Sequence, residues 1–164
     1  MVDLREYFSE SNAIEDVHSE STVEATLEAW EYLENKDSLS HTSLQTAHEF
    51  IMKNRQPDIA GEYRDVQVTI GERIPPPPVV IESEMDKLLN WIPTDPLEAI
   101  EWHIAFEHIY PFADGNGRIG RLVYLWHCAE LNAEPVFWRA EDRDGYYDLF
   151  DTDVDLDGKS PIIE

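Results

Sequence analysis

At 164 residues, 42% of them hydrophobic and five of them tryptophan, the chain is long enough for one domain with a buried core and too short for two of ordinary size. Its 35 acidic and 12 basic residues give a formal net charge of −23, which excludes non-specific binding to a nucleic-acid backbone and disfavours anionic membrane surfaces. No apolar run approaches the roughly 20 residues of a membrane span, no leader pairs a basic flank with an apolar run, and the single cysteine, Cys128, has no intrachain partner; a cytoplasmic protein with Cys128 as a small core residue is expected.

The pattern along the chain is mainly helical. A short first helix is expected over about Leu4 to Ile14, and a second near Thr22 to Glu34, where Val23, Leu27 and Trp30 recur at helical spacing. A third, about His41 to Lys53, puts Leu44, Ala47, His48 and Ile51 on one side. Between Asp65 and Ile81 the pattern changes: Val66, Val68 and Ile70 alternate with polar residues, a Gly71-Glu72 turn follows, and Pro75 to Pro78 can neither continue a helix nor donate to a central ladder. This stretch reads as a small β-hairpin flap over 65–81. Helices resume at about Glu82 to Trp91 and at Pro96 to Ile109, with Pro96 suited to a first turn and Pro111 to a stop. Another starts near Gly117, and a last short one covers about Arg143 to Phe150. One domain over 1–150 is expected, followed by a solvated acidic tail, 151–164.

The loop between the two central helices, Asp114-Gly115-Asn116-Gly117-Arg118, carries chemistry. Two glycines around an asparagine let consecutive N–H groups turn inward. They do so at a helix start, where unsatisfied donors and the dipole favour an anion. Arg118 and Arg121 share a helix face and can grip a second phosphate, while Asp114 is a hard oxygen ligand suited to Mg²⁺ shared with phosphate oxygens. The acidic residues are spread along the chain and only four of the basic ones are lysine, the pattern of a surface kept hydrated in a salt-loaded cytoplasm. Anion binding must therefore be concentrated in a few arginines. Taken alone, Asp-Gly-Asn-Gly is also an ordinary loop.

The longer stretch His103-x-x-Phe106-Glu107-x-Ile109-Tyr110-Pro111-Phe112-x-Asp114-Gly115-Asn116-Gly117-Arg118-x-Gly120-Arg121 resembles the Fic signature HxFx(D/E)GNGRxxR and its preceding helix. Gly61-Glu62-Tyr63-Arg64, Val68-Thr69-Ile70-Gly71 and the proline run stand where Fic proteins carry similar segments, and Tyr146-Tyr147 is similar to their short C-terminal helix near the base pocket. The resemblance implies a Fic-type helical domain that binds ATP and Mg²⁺ and transfers AMP to a Ser, Thr or Tyr hydroxyl of a target protein presented at the flap. It implies that Asp114 holds Mg²⁺, that Gly115, Asn116 and Gly117 position the phosphates, and that Arg118 and Arg121 contact the β- and γ-phosphates. Ser11-Asn12-Ala13-Ile14-Glu15-Asp16 resembles the family's inhibitory helix, (S/T)xxxE(G/N), over a segment of about 1–17; by that resemblance Glu15 pairs with Arg121 and restrains the site in cis, with Asp16 departing from the pattern.

One departure bears on catalysis. Tyr110 stands where the family carries the histidine that takes the target's proton, and His108, two residues earlier, is a poor stand-in. Imidazole titrates near pH 6.5 and phenol near 10, so about 0.1% of an ordinary phenol is ionised at neutral pH. Two nearby arginines would lower the Tyr110 pKa, and a bound triphosphate would cancel much of that field. Two readings stay open: a protein adenylyltransferase working through Tyr110, Asp114, Asn116 and Arg118, or a catalytically degenerate Fic-like binding protein. Transfer of UMP, phosphocholine or phosphate is a further alternative. The remaining motifs read as structure: Asp153, Asp155, Asp157, Gly158 and Glu164 match a calcium-loop spacing that Pro161 interrupts, the histidines lack metal-site spacing, and the tryptophans are packing residues, with Trp138 and Tyr146 or Tyr147 placed to border a purine.

Overall fold

Seven α-helices form the fold among residues 2–159, which are the residues that the computed structural model describes: α1 Leu4–Ile14, α2 Glu20–Glu34, α3 His41–Met52, α4 Ile81–Asn90, α5 Pro96–Ile109, α6 Asn116–Glu130 and α7 Arg143–Asp148. Their starts follow from side-chain chemistry. Asp3 accepts from the Glu6 N–H at 3.1 Å ahead of α1, and Asp95 from the Glu98 N–H at 2.9 Å ahead of α5, where Pro96 has no donor to leave unpaired. Ser40 and Ser43 close a reciprocal capping box at α3. None of these helices is long and apolar enough to cross a membrane.

Helices α5 and α6 form the centre. Trp102, Phe106 and Ile109 join Ile119, Leu122 and Val123 in one buried core, which Leu33, Leu44, Met52, Met85 and Leu88 complete from α2, α3 and α4. From Arg118 to Cys128 every residue of α6 is buried, so this helix has no solvent face and its polar groups depend on internal partners. Two indoles supply such partners to helix ends: Trp102 Nε1 donates to the Leu88 carbonyl at 3.1 Å, and Trp126 Nε1 to the Leu33 carbonyl at 3.0 Å. Cys128 is a buried free thiol.

The expected hairpin is not formed. Ile70 and Arg73 exchange two backbone hydrogen bonds of 2.9 Å around Gly71, which sits at φ 60°, but no ladder extends this bridge among the described residues. The four prolines remove the donors that further rungs would need, and the chain leaves through a tight 3₁₀ turn at Pro78–Val80 into α4. A buried arginine holds the loop in place of a sheet. Arg64 donates to the carbonyls of Val66 and Pro76 at its two feet, at 2.9 and 2.7 Å. It also donates to Tyr110 and Ile109 at the end of α5, at 2.6 and 3.2 Å. Four carbonyls and a helix C-terminus thus replace a carboxylate as its counter-charge. Arg64→Met is expected to cost at least about 2 kcal/mol, since several charge-assisted bonds go at once; thermal unfolding of the two proteins measures it.

After α7 the carboxylates of Asp151, Asp153, Asp155 and Asp157 are exposed, while a few contacts hold the segment to the domain as far as Lys159. Val154 and Leu156 pack against the core, Arg73 donates to the Phe150 carbonyl at 3.0 Å, and Lys159 meets Glu101 at 3.0 Å and lies over the Trp91 ring. Of the calcium-loop carboxylates, Asp153 lies 3.6 Å from Arg73 and Asp157 3.1 Å from Lys87, while Glu164 lies outside the described residues.

Candidate active site

The site is built around the break between α5 and α6. Tyr110 ends α5 in the left-handed region, at φ 51° and ψ 61°, which for a non-glycine residue costs on the order of 1 kcal/mol. Pro111 then forbids the helix, and the Asn116 side chain pins the loop by accepting from the Phe112 N–H at 2.9 Å and donating to the Phe112 carbonyl at 2.7 Å. The amide of Asn116 is thus spent on loop shape; it acts on any anion through the backbone it holds. Gly115 caps α6 at φ 85° with no side chain to satisfy the first turn. A Cβ at Gly115 would stand 3.0 Å from Met52 Sδ and 3.3 Å from His48 Nε2, so glycine is required twice over.

His48 supports the same loop. Its Nδ1 accepts from the Gly61 N–H at 3.0 Å, its Nε2 donates to the Asp114 carbonyl at 2.8 Å, and its ring stacks on Phe112 at 3.9 Å. Burial lowers its pKa to about 4, so it stays neutral with both nitrogens engaged. The Asp114 carboxylate stands at the exposed mouth, accepting from Gln56 Nε2 at 2.5 Å and from the Gly115 N–H at 2.7 Å. His48, Gln56 and Arg64 are positioning residues that sequence reasoning missed. Their traces in the sequence are the Gly61-Glu62-Tyr63-Arg64 segment and the helix face that His48 shares with Leu44 and Ile51.

The two arginines behave differently. Arg118 is buried, with one Nη 3.3 Å from Met52 Sδ and with Nε and the other Nη lacking any hydrogen-bond partner; burial lowers its pKa. Arg121 is saturated. Its Nε donates to Ser11 Oγ at 2.7 Å, one Nη to the Tyr146 hydroxyl at 2.9 Å, and the other Nη to the Ser11 carbonyl at 2.8 Å and to the Glu15 carboxylate. Burial alone would lower the Arg121 pKa, but Tyr146 and Glu15 outweigh it and the group is held above its ordinary value.

Glu15 reaches this point because α1 stops at Ile14 and Asp16 turns the chain at φ 58°. Asp tolerates the left-handed region, as do the Gly and Asn of the family pattern, and Asp16 then lies 3.3 Å from Arg143. The Glu15 carboxylate lies on the first turn of α6: a Cβ on Gly117 would be 2.1 Å from its Oε1.

These groups face a cavity of about 840 Å³ lined by Glu15, Glu107, Tyr110, Asp114, Gly115 to Gly117, Arg121, Tyr146 and Tyr147, with the flap tip Ile70 to Arg73 and Phe150 opposite. Arg118 is not on its wall, and Trp138 packs behind Tyr146 at 5.2 Å between ring centres. His108 is tied by Nε2 to the Phe150 carbonyl at 2.9 Å. The expectation that arginines lower the Tyr110 pKa is reversed. Burial raises it, and the charges of Glu107, Asp114 and Glu15 add to that effect against an opposing contact with Asn116.

Glu107 was also missed as a site residue. It lies against α6, where a Cβ on Gly120 would be 2.6 Å from its Oε1, and that oxygen has no hydrogen-bond partner. Burial raises its pKa to about 8, opposed by Arg121 and reinforced by Glu15. Between about pH 4.5 and 8 the folded protein therefore holds a proton that the unfolded chain has released. This contribution to stability is full below the unfolded pKa and is lost as pH rises through about 8. Glu107→Gln is expected to remove that decline, so that urea midpoints of variant and wild type diverge in the variant's favour between about pH 4.5 and 8 and run parallel above it.

A helical domain whose buried central helix opens on a glycine-rich loop, with a carboxylate from the end of its own first helix lying on that helix start, is the class that this geometry defines. The model of the Fic/DOC family matches residues 38–128. A protein adenylyltransferase Fic of Nematostella vectensis is 31% identical over 123 residues, which cover 71% of this chain and 29% of that protein. One of Culex quinquefasciatus is 32% identical over 119 residues, covering 68% of this chain and 24% of the relative. A Fic-domain signaling protein from Bacteroides thetaiotaomicron superposes with a TM-score of 0.78 at 18% identity, covering 90% of this chain and 70% of that one. Fic-1 of C. elegans does so with 0.73 at 23%, covering 88% and 53%. The chain belongs to the Fic/DOC family, and it spans less than a third of the length of these curated relatives.

Proposed function

We propose that this protein binds ATP with Mg²⁺ at the start of α6 and transfers AMP to a protein hydroxyl, restrained in cis by Glu15. The observation that carries this reading is the position of the Glu15 carboxylate on Gly117 and Arg121. The seat attracts an anion strongly enough that an internal one fills it, and a γ-phosphate would compete for the same guanidinium. The names of the relatives support the same general reaction. Once Glu15 leaves, Arg121 keeps Ser11 and Tyr146 as partners and gains a phosphate, while Arg118 has two donors with nothing to bind.

No group of three or more metal-ligating side chains occurs among the described residues. The donor set fits a cation shared with phosphates: Mg²⁺ would be held by Asp114 together with phosphate oxygens, and would supply neutralisation of charge on the departing pyrophosphate. The flap presents exposed Val66, Ile70 and Ile74 beside the cavity, a surface for an extended target segment that carries the hydroxyl. Calorimetry with Mg–ATP tests the seat. Heat of binding in Glu15→Gly is the expected result, and its absence in that variant and in wild type rejects the reading.

A second reading, a Fic-like protein that binds nucleotide without turnover, is favoured by Tyr110. The raised phenol pKa leaves the position without an effective base at neutral pH. Labelled-ATP assays against candidate targets separate the two.

A further inference from the structure

Tyr110 is chemically out of place for a base and well placed for something else. Its backbone is locked by the left-handed turn, by Pro111 and by the Arg64 bond to its carbonyl at 2.6 Å. Its phenol lines the cavity with Glu107, Asp114, Gly115 and Gly117. The phenol is half-buried, within reach of the Asn116 side chain and of the charges of Glu107, Asp114 and Glu15, so its hydroxyl lies inside the site. An imidazole here would take a proton from an acceptor hydroxyl just beyond its tip. A phenol is the longer side chain, and it carries its own hydroxyl out to that place.

We propose that Tyr110 is itself a nucleotide acceptor: with Glu15 withdrawn and a nucleoside triphosphate bound, its hydroxyl is nucleotidylated, with Glu107 taking the proton. This rests on the nucleotide reading above. The Tyr110 oxygen attacks the α-phosphorus, the bond from that phosphorus to the bridging oxygen of the β-phosphate breaks, and pyrophosphate leaves with the bond's electrons. The phenol proton passes to a Glu107 carboxylate oxygen. The product is a tyrosine–nucleoside phosphodiester on the chain itself, and nothing is oxidised or reduced.

Glu107 suits this role by position. It stands one helical turn before Tyr110 and lines the same cavity, and its Oε1 has no hydrogen-bond partner. Of the other bases on the wall, Asp114 is engaged by Gln56 and Gly115, Glu15 by Arg121 and His108 by the Phe150 carbonyl, while Glu72 and Asp151 are exposed to solvent. With its pKa raised to about 8 by burial, Glu107 is in its basic form only as pH rises through about 8, so labelling is expected to rise with pH over that range. Because the acceptor is part of the seat, each chain reacts once, and the bound nucleotide then bars external targets.

The test uses the full chain carrying Glu15→Gly, incubated with Mg²⁺ and ATP labelled at the α-phosphate. Intact mass and peptide mapping are expected to find at most one AMP per chain, on the peptide that holds Tyr110. Adding Tyr110→Phe is expected to abolish the label while calorimetry still detects Mg–ATP binding within about twofold, which excludes misfolding. Adding Glu107→Gln is expected to slow labelling by about 10²–10⁴-fold with affinity retained. Label elsewhere on the chain, undiminished label in the Tyr110→Phe protein, or nucleotide bound without any label overturns the proposal. No heat of binding in any of these proteins would instead remove the nucleotide reading, and this inference with it.

Discussion

Tyr110→His is expected to raise the rate of AMP transfer to an external protein hydroxyl by about 10²–10⁴-fold, the range that a positioned general base contributes. The argument has a chemical and a conformational half. Chemically, the native phenol is held above its ordinary value of 10.0, first by burial and then by the carboxylates around it. An imidazole in the same place has an unperturbed pKa near 6.5 and is largely in its basic form at neutral pH. Conformationally, residue 110 must adopt the left-handed region, where histidine is found more readily than most side chains, so the exchange adds no backbone strain. The variant's rate should also rise with pH through the imidazole pKa. The assay compares α-phosphate label on a supplied target; equal rates for the two proteins would show that residue 110 does not limit transfer.

The second large effect is expected from Glu15→Gly: Mg–ATP affinity higher by about tenfold to hundredfold. The closed plug is a buried guanidinium with a carboxylate and two Ser11 oxygens on it. A plug favoured by about 1.4–2.7 kcal/mol leaves roughly one molecule in ten to one in a hundred competent to bind, and apparent affinity falls by that fraction. Removing the carboxylate restores it. The same substitution takes a charge-assisted bond from Arg121, so the ligand-free variant is expected to be less stable by about 1.5–3 kcal/mol, and bound nucleotide should return that stability. Isothermal titration and thermal shifts with and without Mg–ATP measure both signs. Unchanged affinity would mean that Glu15 decorates the seat without guarding it.

Much of this organisation was legible in the residues. Caps at Asp3, Ser40 and Asp95 mark the starts of α1, α3 and α5, with the prolines at 96 and 111 bounding α5 and apolar residues at helical spacing marking the longer helices, and helix boundaries are local events. The family pattern located the loop and the pairing of Glu15 with Arg121, because both are carried by short motifs. The flap was misread for an instructive reason. Alternating Val66, Val68 and Ile70 promise a strand, but a strand exists only through a partner, and the prolines deny that partner its donors. The acidic side chains after α7 are exposed, and only the fold shows that Arg73 and Lys87 meet two of them while Lys159 reaches back to Glu101.

By itself, then, the sequence determined the helices, the glycine-rich loop and the family, since each depends on neighbours within a few residues or on a contiguous motif. Tertiary structure decided what the side chains around that loop are doing. It spent Asn116 on the loop, drew Arg118 back to Met52, saturated Arg121, surrounded Tyr110 with carboxylates and set Glu107 against Gly120 with an oxygen unsatisfied. Burial and through-space charge set protonation and partner choice, and both are sums over groups that the chain brings together from positions as far apart as 11 and 121.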